Sequence, residues 1–143
     1  MLLQNEGASL TLEVWNYERP DAFGAEGAWL VLRTLYQEVD GVTIRDSNSC
    51  LRTEELQEMT AGLKVLAAGI RDRYESDFQE PYFLLNAAAE EEGFRVQVSF
   101  VLVNTMEDLD AAEIEVRFTK EDLSQLIDEL DGLCRKFPVR SGK

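Results

Sequence analysis

A chain of 143 residues carries 28 acidic against 14 basic side chains, a formal net charge of −14, and no histidine. Without an imidazole, histidine-based triads, histidine-ligated metals and histidine proton relays are excluded. A surface this negative repels nucleic acid and anionic membranes and draws basic partners over long range, so the chain reads as a binder rather than a catalyst.

The length suits one domain over residues 1–143, burying roughly two-thirds of its unfolded surface. The acidity is spread over both halves, so no acidic tail accounts for it. Met1-Leu2-Leu3-Gln4-Asn5-Glu6-Gly7 is not a basic stretch followed by an apolar run, and no segment has the length and apolarity to span a bilayer. Cys50 and Cys134 lie far apart without a CxxC spacing, the pattern of free thiols in a reducing compartment. The expectation is a soluble cytoplasmic protein.

The first predicted element is a strand over Ser9–Tyr17, with Leu10, Leu12 and Val14 alternating onto one face. Pro20, Gly24 and Gly27 mark a loop. Ala28–Gln37 follows as a strand apolar on both faces, and Asp40-Gly41 turns the chain into a short strand, Val42–Arg45. Thr53 is placed to cap a helix, with Glu54 and Glu55 in the first turn where the helix dipole favours acids. Leu56, Met59, Leu63, Leu66, Ala67 and Ile70 form its apolar stripe, ending near Arg73. Gly62 and Gly69 weaken this helix or let something approach closely.

The second half repeats the order. Pro81–Ala88 reads as a strand and Glu90–Gly93 as a charged turn. Phe94–Val103 is a strand with Phe94, Val96, Val98, Phe100 and Leu102 inward. After an acidic loop, Asn104–Asp110, a strand over Glu113–Phe118 turns Ile114, Val116 and Phe118 inward. Thr119 caps a last helix striped by Leu123, Leu126, Ile127, Leu130, Leu133, Cys134 and Phe137, and Pro138 stops it. The order βββα-βββα predicts an α+β fold: an antiparallel sheet of about six strands with two helices on one face.

Phosphate loops, nucleophile elbows and zinc spacings are all missing from the sequence. The reading assigns no catalytic residue, no cofactor and no metal. Glu107, Asp108, Asp110, Glu113 and Glu115 make the densest acidic group. Such acids can hold a hard cation, but the turn glycine and closing glutamate of a calcium loop are lacking, and a solvated partner surface fits better. Cys50 lies just before a helix start, where a dipole lowers a thiol pKa, yet it has no base to work with.

Residues out of phase with the inward rows are more telling. Trp15 and Tyr17 alternate against Leu10, Leu12 and Val14; Trp29 and Val31 against Leu30 and Leu32; Val101 and Val103 behave likewise. With helices on one face, these form an aromatic patch on the other, ringed by Glu13, Arg33, Glu113, Glu115 and Arg117. Aromatic anchors inside a charged rim are what protein interfaces use. The predicted partner-binding set is Trp15, Tyr17, Trp29, Glu107, Asp108, Asp110, Glu113 and Glu115.

Several segments in order resemble the WapI family of bacterial immunity proteins. They are Tyr17-Glu18-Arg19-Pro20, Ala28-Trp29-Leu30, Cys50-Leu51-Arg52-Thr53-Glu54-Glu55-Leu56, Glu80-Pro81 and Phe137-Pro138-Val139-Arg140, spanning nearly the whole chain. The resemblance implies a small cytoplasmic protein that neutralises a toxin domain by direct binding and carries no catalytic residues, and the expected state of the chain is a monomer or homodimer. A basic toxin domain, of the nuclease kind, is then the expected partner, with the acids standing in for nucleic-acid phosphates. Two other classes stay open: a small-ligand or metal-dependent enzyme on the 104–115 loop, and a self-associating accessory domain.

Overall fold

The computed structural model describes residues 1–41, 43–80, 82–101 and 111–140. The elements in order are β1 (Leu2–Gln4), β2 (Ala8–Tyr17), β3 (Trp29–Glu38), β4 (Thr43–Arg52), α1 (Thr53–Ala67), β5 (Arg73–Glu75), β6 (Phe83–Glu90), β7 (Gly93–Val101), β8 (Ala111–Phe118) and α2 (Lys120–Lys136). The α+β class holds, and every strand pairing is antiparallel. Among the described residues there are eight strands rather than about six, divided between two four-stranded sheets ordered β1-β2-β3-β4 and β5-β6-β7-β8.

The two extra strands are three residues each, too short to display a period. β1 is fixed by Leu3, which is fully buried, and by the terminal amino group of Met1, which donates to the Leu12 carbonyl at 2.9 Å. β5 begins at Arg73, the expected end of the first helix. That helix stops at Ala67 because Gly69 turns left-handed at φ 75°. The Gly69 N–H then reaches the Leu66 carbonyl and the Ile70 N–H reaches that of Val65. This double closure satisfies the last carbonyls and throws Ile70 out of the stripe into solvent. β4 runs on to Arg52, well past the predicted end at Arg45, since β3 offers it pairing from Gln37 back to Trp29.

The helix begins at Thr53 itself, so its cap falls one residue before the expected one. Arg52 is the N-cap, and the carboxylate of Glu55, 1 % exposed, accepts the Arg52 N–H at 2.9 Å and, through its other oxygen, the Gln79 N–H at 2.6 Å. One buried acid therefore caps α1 and ties down the segment leading into β6. Thr119 caps α2 as predicted, exchanging hydrogen bonds with Asp122.

The inward rows meet in one hydrophobic core. Leu10, Leu12, Val14, Leu30 and Leu32 come from the first sheet, Leu85, Val96, Val98, Ile114 and Val116 from the second, and Leu56, Met59, Leu63, Leu123 and Leu130 from the helices. Each such side chain contributes about 1.5–3 kcal/mol on burial. α1 lies against α2, β4, β5 and β6, while α2 also packs on β7 and β8. β1 and β2 meet β8, where the Asn5 amide donates to the Glu115 carbonyl at 2.9 Å. The faces of both sheets that turn away from this core carry the candidate site.

Candidate partner interface

On the outer face of the first sheet, antiparallel register sets Thr11, Leu35 and Arg45 in one row and Glu13, Arg33 and Ser47 in the next. These six residues line a shallow depression of about 590 Å³. Trp15 follows, 51 % exposed, with the Arg33 guanidinium 4.2 Å from its ring centroid. It owes this position to a β-bulge between Val14 and Asn16, which adds a residue to β2 and re-aims the side chains around it.

The bulge also changes the reading of Tyr17. Tyr17 pairs with Leu30, whose side chain is fully buried, and directly opposed residues share a face. Tyr17 is therefore turned inward, not out beside Trp15, because strict alternation fails across an inserted residue. Its ring meets Phe137 edge-on at 5.4 Å and its hydroxyl donates to the Pro138 carbonyl at 2.7 Å. Trp29 opens β3 half-buried, opposite Arg52, and its carbonyl accepts the Glu18 N–H.

The two described acidic members of the predicted set, Glu113 and Glu115, are not beside these aromatics. Glu113 and Glu115 lie exposed on β8 in the second sheet; Gln97 donates to Glu113 at 2.5 Å, and Arg95 stands 3.9 Å from Glu115. The Asn5 side chain that reaches the Glu115 carbonyl also accepts the Ala8 N–H, at the far end of β2 from Trp15. Seven residues of strand separate Ala8 from Trp15, roughly 20 Å. Glu107, Asp108 and Asp110, with Leu102 and Val103, fall outside the described residues. No cluster of metal-binding side chains occurs among the described residues.

Neither thiol has the surroundings of a nucleophile. Cys50 is buried in β4, and its pKa is pushed up to about 12 by burial first and then by Glu55, Asp46 and Glu80. Cys134 is half-buried, its sulfur 3.5 Å from the Thr60 hydroxyl. A larger open depression, about 950 Å³, lies between the end of α1 and the β6–β7 turn. It mixes Arg71, Arg73 and Lys120 with Asp72, Glu90 and Glu91, so no single ligand charge is favoured there.

Phe23 was missed by sequence reasoning. It is 54 % exposed in the loop between β2 and β3, adjoining the same end of the sheet as Trp15 and Trp29. Period analysis passes over it because a loop has no period; the available signal was a lone aromatic between Asp21 and Gly24.

The segments that suggested a family are used by the fold in ways now visible. Tyr17 and Pro138 are hydrogen-bonded across the ends of the chain, Glu55 caps α1, and the Thr53 N–H donates to the Ala28 carbonyl at 2.8 Å. No curated protein matches the chain. The family model described as the WapI-like immunity protein family matches residues 1–138. The chain belongs to the WapI-like immunity protein family.

Proposed function

We propose that the chain neutralises a cognate toxin domain by binding it directly in the cytoplasm, and that this domain is basic, as a nuclease would be. Family membership carries the immunity role. The observation that points to direct binding is Trp15, held half in solvent by a bulge with Arg33 over its ring. A tryptophan fixed in this way has the properties of an interface anchor.

The charge of −14 supplies the attraction for a basic domain and speeds encounter through long-range steering. Trp15 and Trp29 furnish contacts at one end of the first sheet. Tyr17 acts from beneath, as support for the loop that follows it. Glu113 and Glu115 on β8 add to the negative field rather than to the aromatic contact, and the charges of Glu107, Asp108 and Asp110 strengthen that field. The protein so described has no catalytic residue, cofactor or metal and does not turn over a substrate. It is a monomer or homodimer until the toxin domain arrives.

Co-expression tests this reading. The chain is expected to restore growth to cells producing the toxin domain encoded beside it, and the purified pair is expected to associate more slowly as salt is raised. Failure to rescue, or an on-rate indifferent to salt, overturns it.

A further inference from the structure

Between Tyr17 and Trp29 the 18–28 loop closes on itself. The Ala22 N–H donates to the Arg19 carbonyl, that of Gly27 to Gly24 and that of Ala28 to Ala25. Gly24 takes φ 66°, and Gly27 lies so near the Ala22 carbonyl that a Cβ there would overlap it. Into this loop comes Arg140 from the other end of the chain. Its Nη1 donates to the Pro20 carbonyl, and its Nη2 donates to those of Arg19 and Gly27 at 2.9 and 2.8 Å. In return its own carbonyl accepts the Gly24 N–H at 3.1 Å.

The guanidinium also lies 3.6 Å from the centroid of the Tyr17 ring and 5.6 Å from that of Phe23. Tyr17 is in turn fastened to Pro138 and packed on Phe137. Both legs of the loop are thereby tied to one planar fork. A lysine, with a single ammonium and no plane to stack, cannot reproduce that arrangement.

The outcome of this fastening is an aromatic side chain that the fold does not bury. Phe23 stands in solvent, Val139 next to Arg140 is 39 % exposed, and the loop stays net negative, with Glu18, Asp21 and Glu26 against the inserted Arg140 and its own Arg19, which pairs with Glu26 at 3.8 Å. The depression on the adjoining sheet face is balanced instead, with Arg33 and Arg45 beside Glu13 and Asp46. A basic surface is therefore drawn more to the loop than to the adjoining depression. A loop fixed before binding loses little freedom on binding, which raises affinity without adding contacts.

We propose that the 18–28 loop, held by Arg140, is the element that grips the basic partner domain, with Phe23 as its anchor and Arg140 as a positioning residue. This rests on the immunity reading above and names the contact surface it requires.

The test measures two things on the full-length chain: hydrogen exchange of the loop amides without partner, and affinity for the toxin domain encoded beside it. The variants are Phe23→Ala, Arg140→Ala, Arg140→Lys, the double variant Phe23→Ala/Arg140→Ala, and Val39→Ala at the other end of the β2–β3 pair as control. Arg140→Ala and Arg140→Lys are expected to speed exchange at Ala22, Gly24 and Gly27 while α1 amides stay protected. Phe23→Ala is expected to leave exchange alone and to weaken binding by about tenfold or more. The double variant should fall little below Arg140→Ala, since a released loop no longer presents Phe23.

Unchanged loop exchange in both Arg140 variants overturns the positioning role, and wild-type affinity in Phe23→Ala overturns the anchor. Loss of α1 protection in Arg140→Ala would make Arg140 a general fold determinant, unless Arg140→Lys keeps α1 protected and still frees the loop. A wild-type chain that does not bind overturns the immunity reading and the docking role together, while the exchange results still decide whether Arg140 holds the loop.

Discussion

Gly62 in α1 and Gly132 in α2 are both helix-interior glycines, yet their surroundings are opposite. A Cβ at Gly62 would overlap two carbons of the Tyr74 ring, whereas one at Gly132 would meet only the tip of Arg135 at 3.9 Å, an ordinary contact. Tyr74 belongs to β5 and packs against the core, and Gly62 is the gap through which that short strand docks on the helix. Alanine gains about 1 kcal/mol over glycine from helix propensity at either site. At Gly62 the displaced ring costs about 1–3 kcal/mol, which cancels or exceeds the gain. Gly132→Ala should therefore raise the urea midpoint while Gly62→Ala lowers it or leaves it unimproved. A clear rise for Gly62→Ala would show that the ring moves aside freely.

At the scale of elements, Cys50 and Cys134 report on different parts of the fold. Cys50 is the extra residue where β4 slips against Leu30 and Val31 of β3, buried and with a thiol held protonated, while Cys134 lies half-buried on α2. An alkylating agent at mildly alkaline pH should modify Cys134 first. Cys50 should stay unmodified until denaturant opens β4, as peptide mass spectrometry would show. Equal rates at both cysteines would mean that β4 frays in the native state. The two bulges also mark where sequence reading stops working. Rows such as Leu10, Leu12 and Val14, or Val96 and Val98, were legible because unbroken alternation maps directly onto one face. Tyr17 was misplaced because one inserted residue inverts everything after it, and no local pattern announces the insertion. β4 was cut short because Asp46, Ser47, Asn48 and Ser49 look like a loop; only pairing with β3 makes them a strand. The division into two sheets was illegible for the same reason, since partner choice is a long-range property. The clasp by Arg140 joins positions about 120 apart and has no local signal beyond the two motifs at its ends.

For the whole molecule, the core that runs through both sheets and helices favours one cooperative unfolding transition, as expected of a single domain. Its pH dependence follows from groups held protonated by burial. The Tyr36 and Tyr74 hydroxyls are pushed from 10 up to about 12, by burial first and then by neighbouring acids: Glu38 for Tyr36, Glu58 and Glu55 for Tyr74. Cys50 is raised from 9 to about 12, and Tyr82 is raised further by burial and by its hydrogen bond to Asp46. A raised value means that the folded chain keeps its proton where the unfolded chain has lost it. The stability these groups contribute is complete below about pH 9, the ordinary thiol value, and is lost progressively as pH climbs from there towards 12. Every ionisation on the way adds to a charge already at −14, so self-repulsion acts in the same direction and added salt should blunt the fall. Across neutrality the profile should be level, because the chain has no histidine to titrate there. Urea midpoints measured from pH 6 to 11 test the argument, with Cys50→Ser expected to delay the onset of the alkaline decline. A midpoint that already falls between pH 6 and 7.5, or one that holds steady to pH 11, would show that these buried groups do not govern the profile.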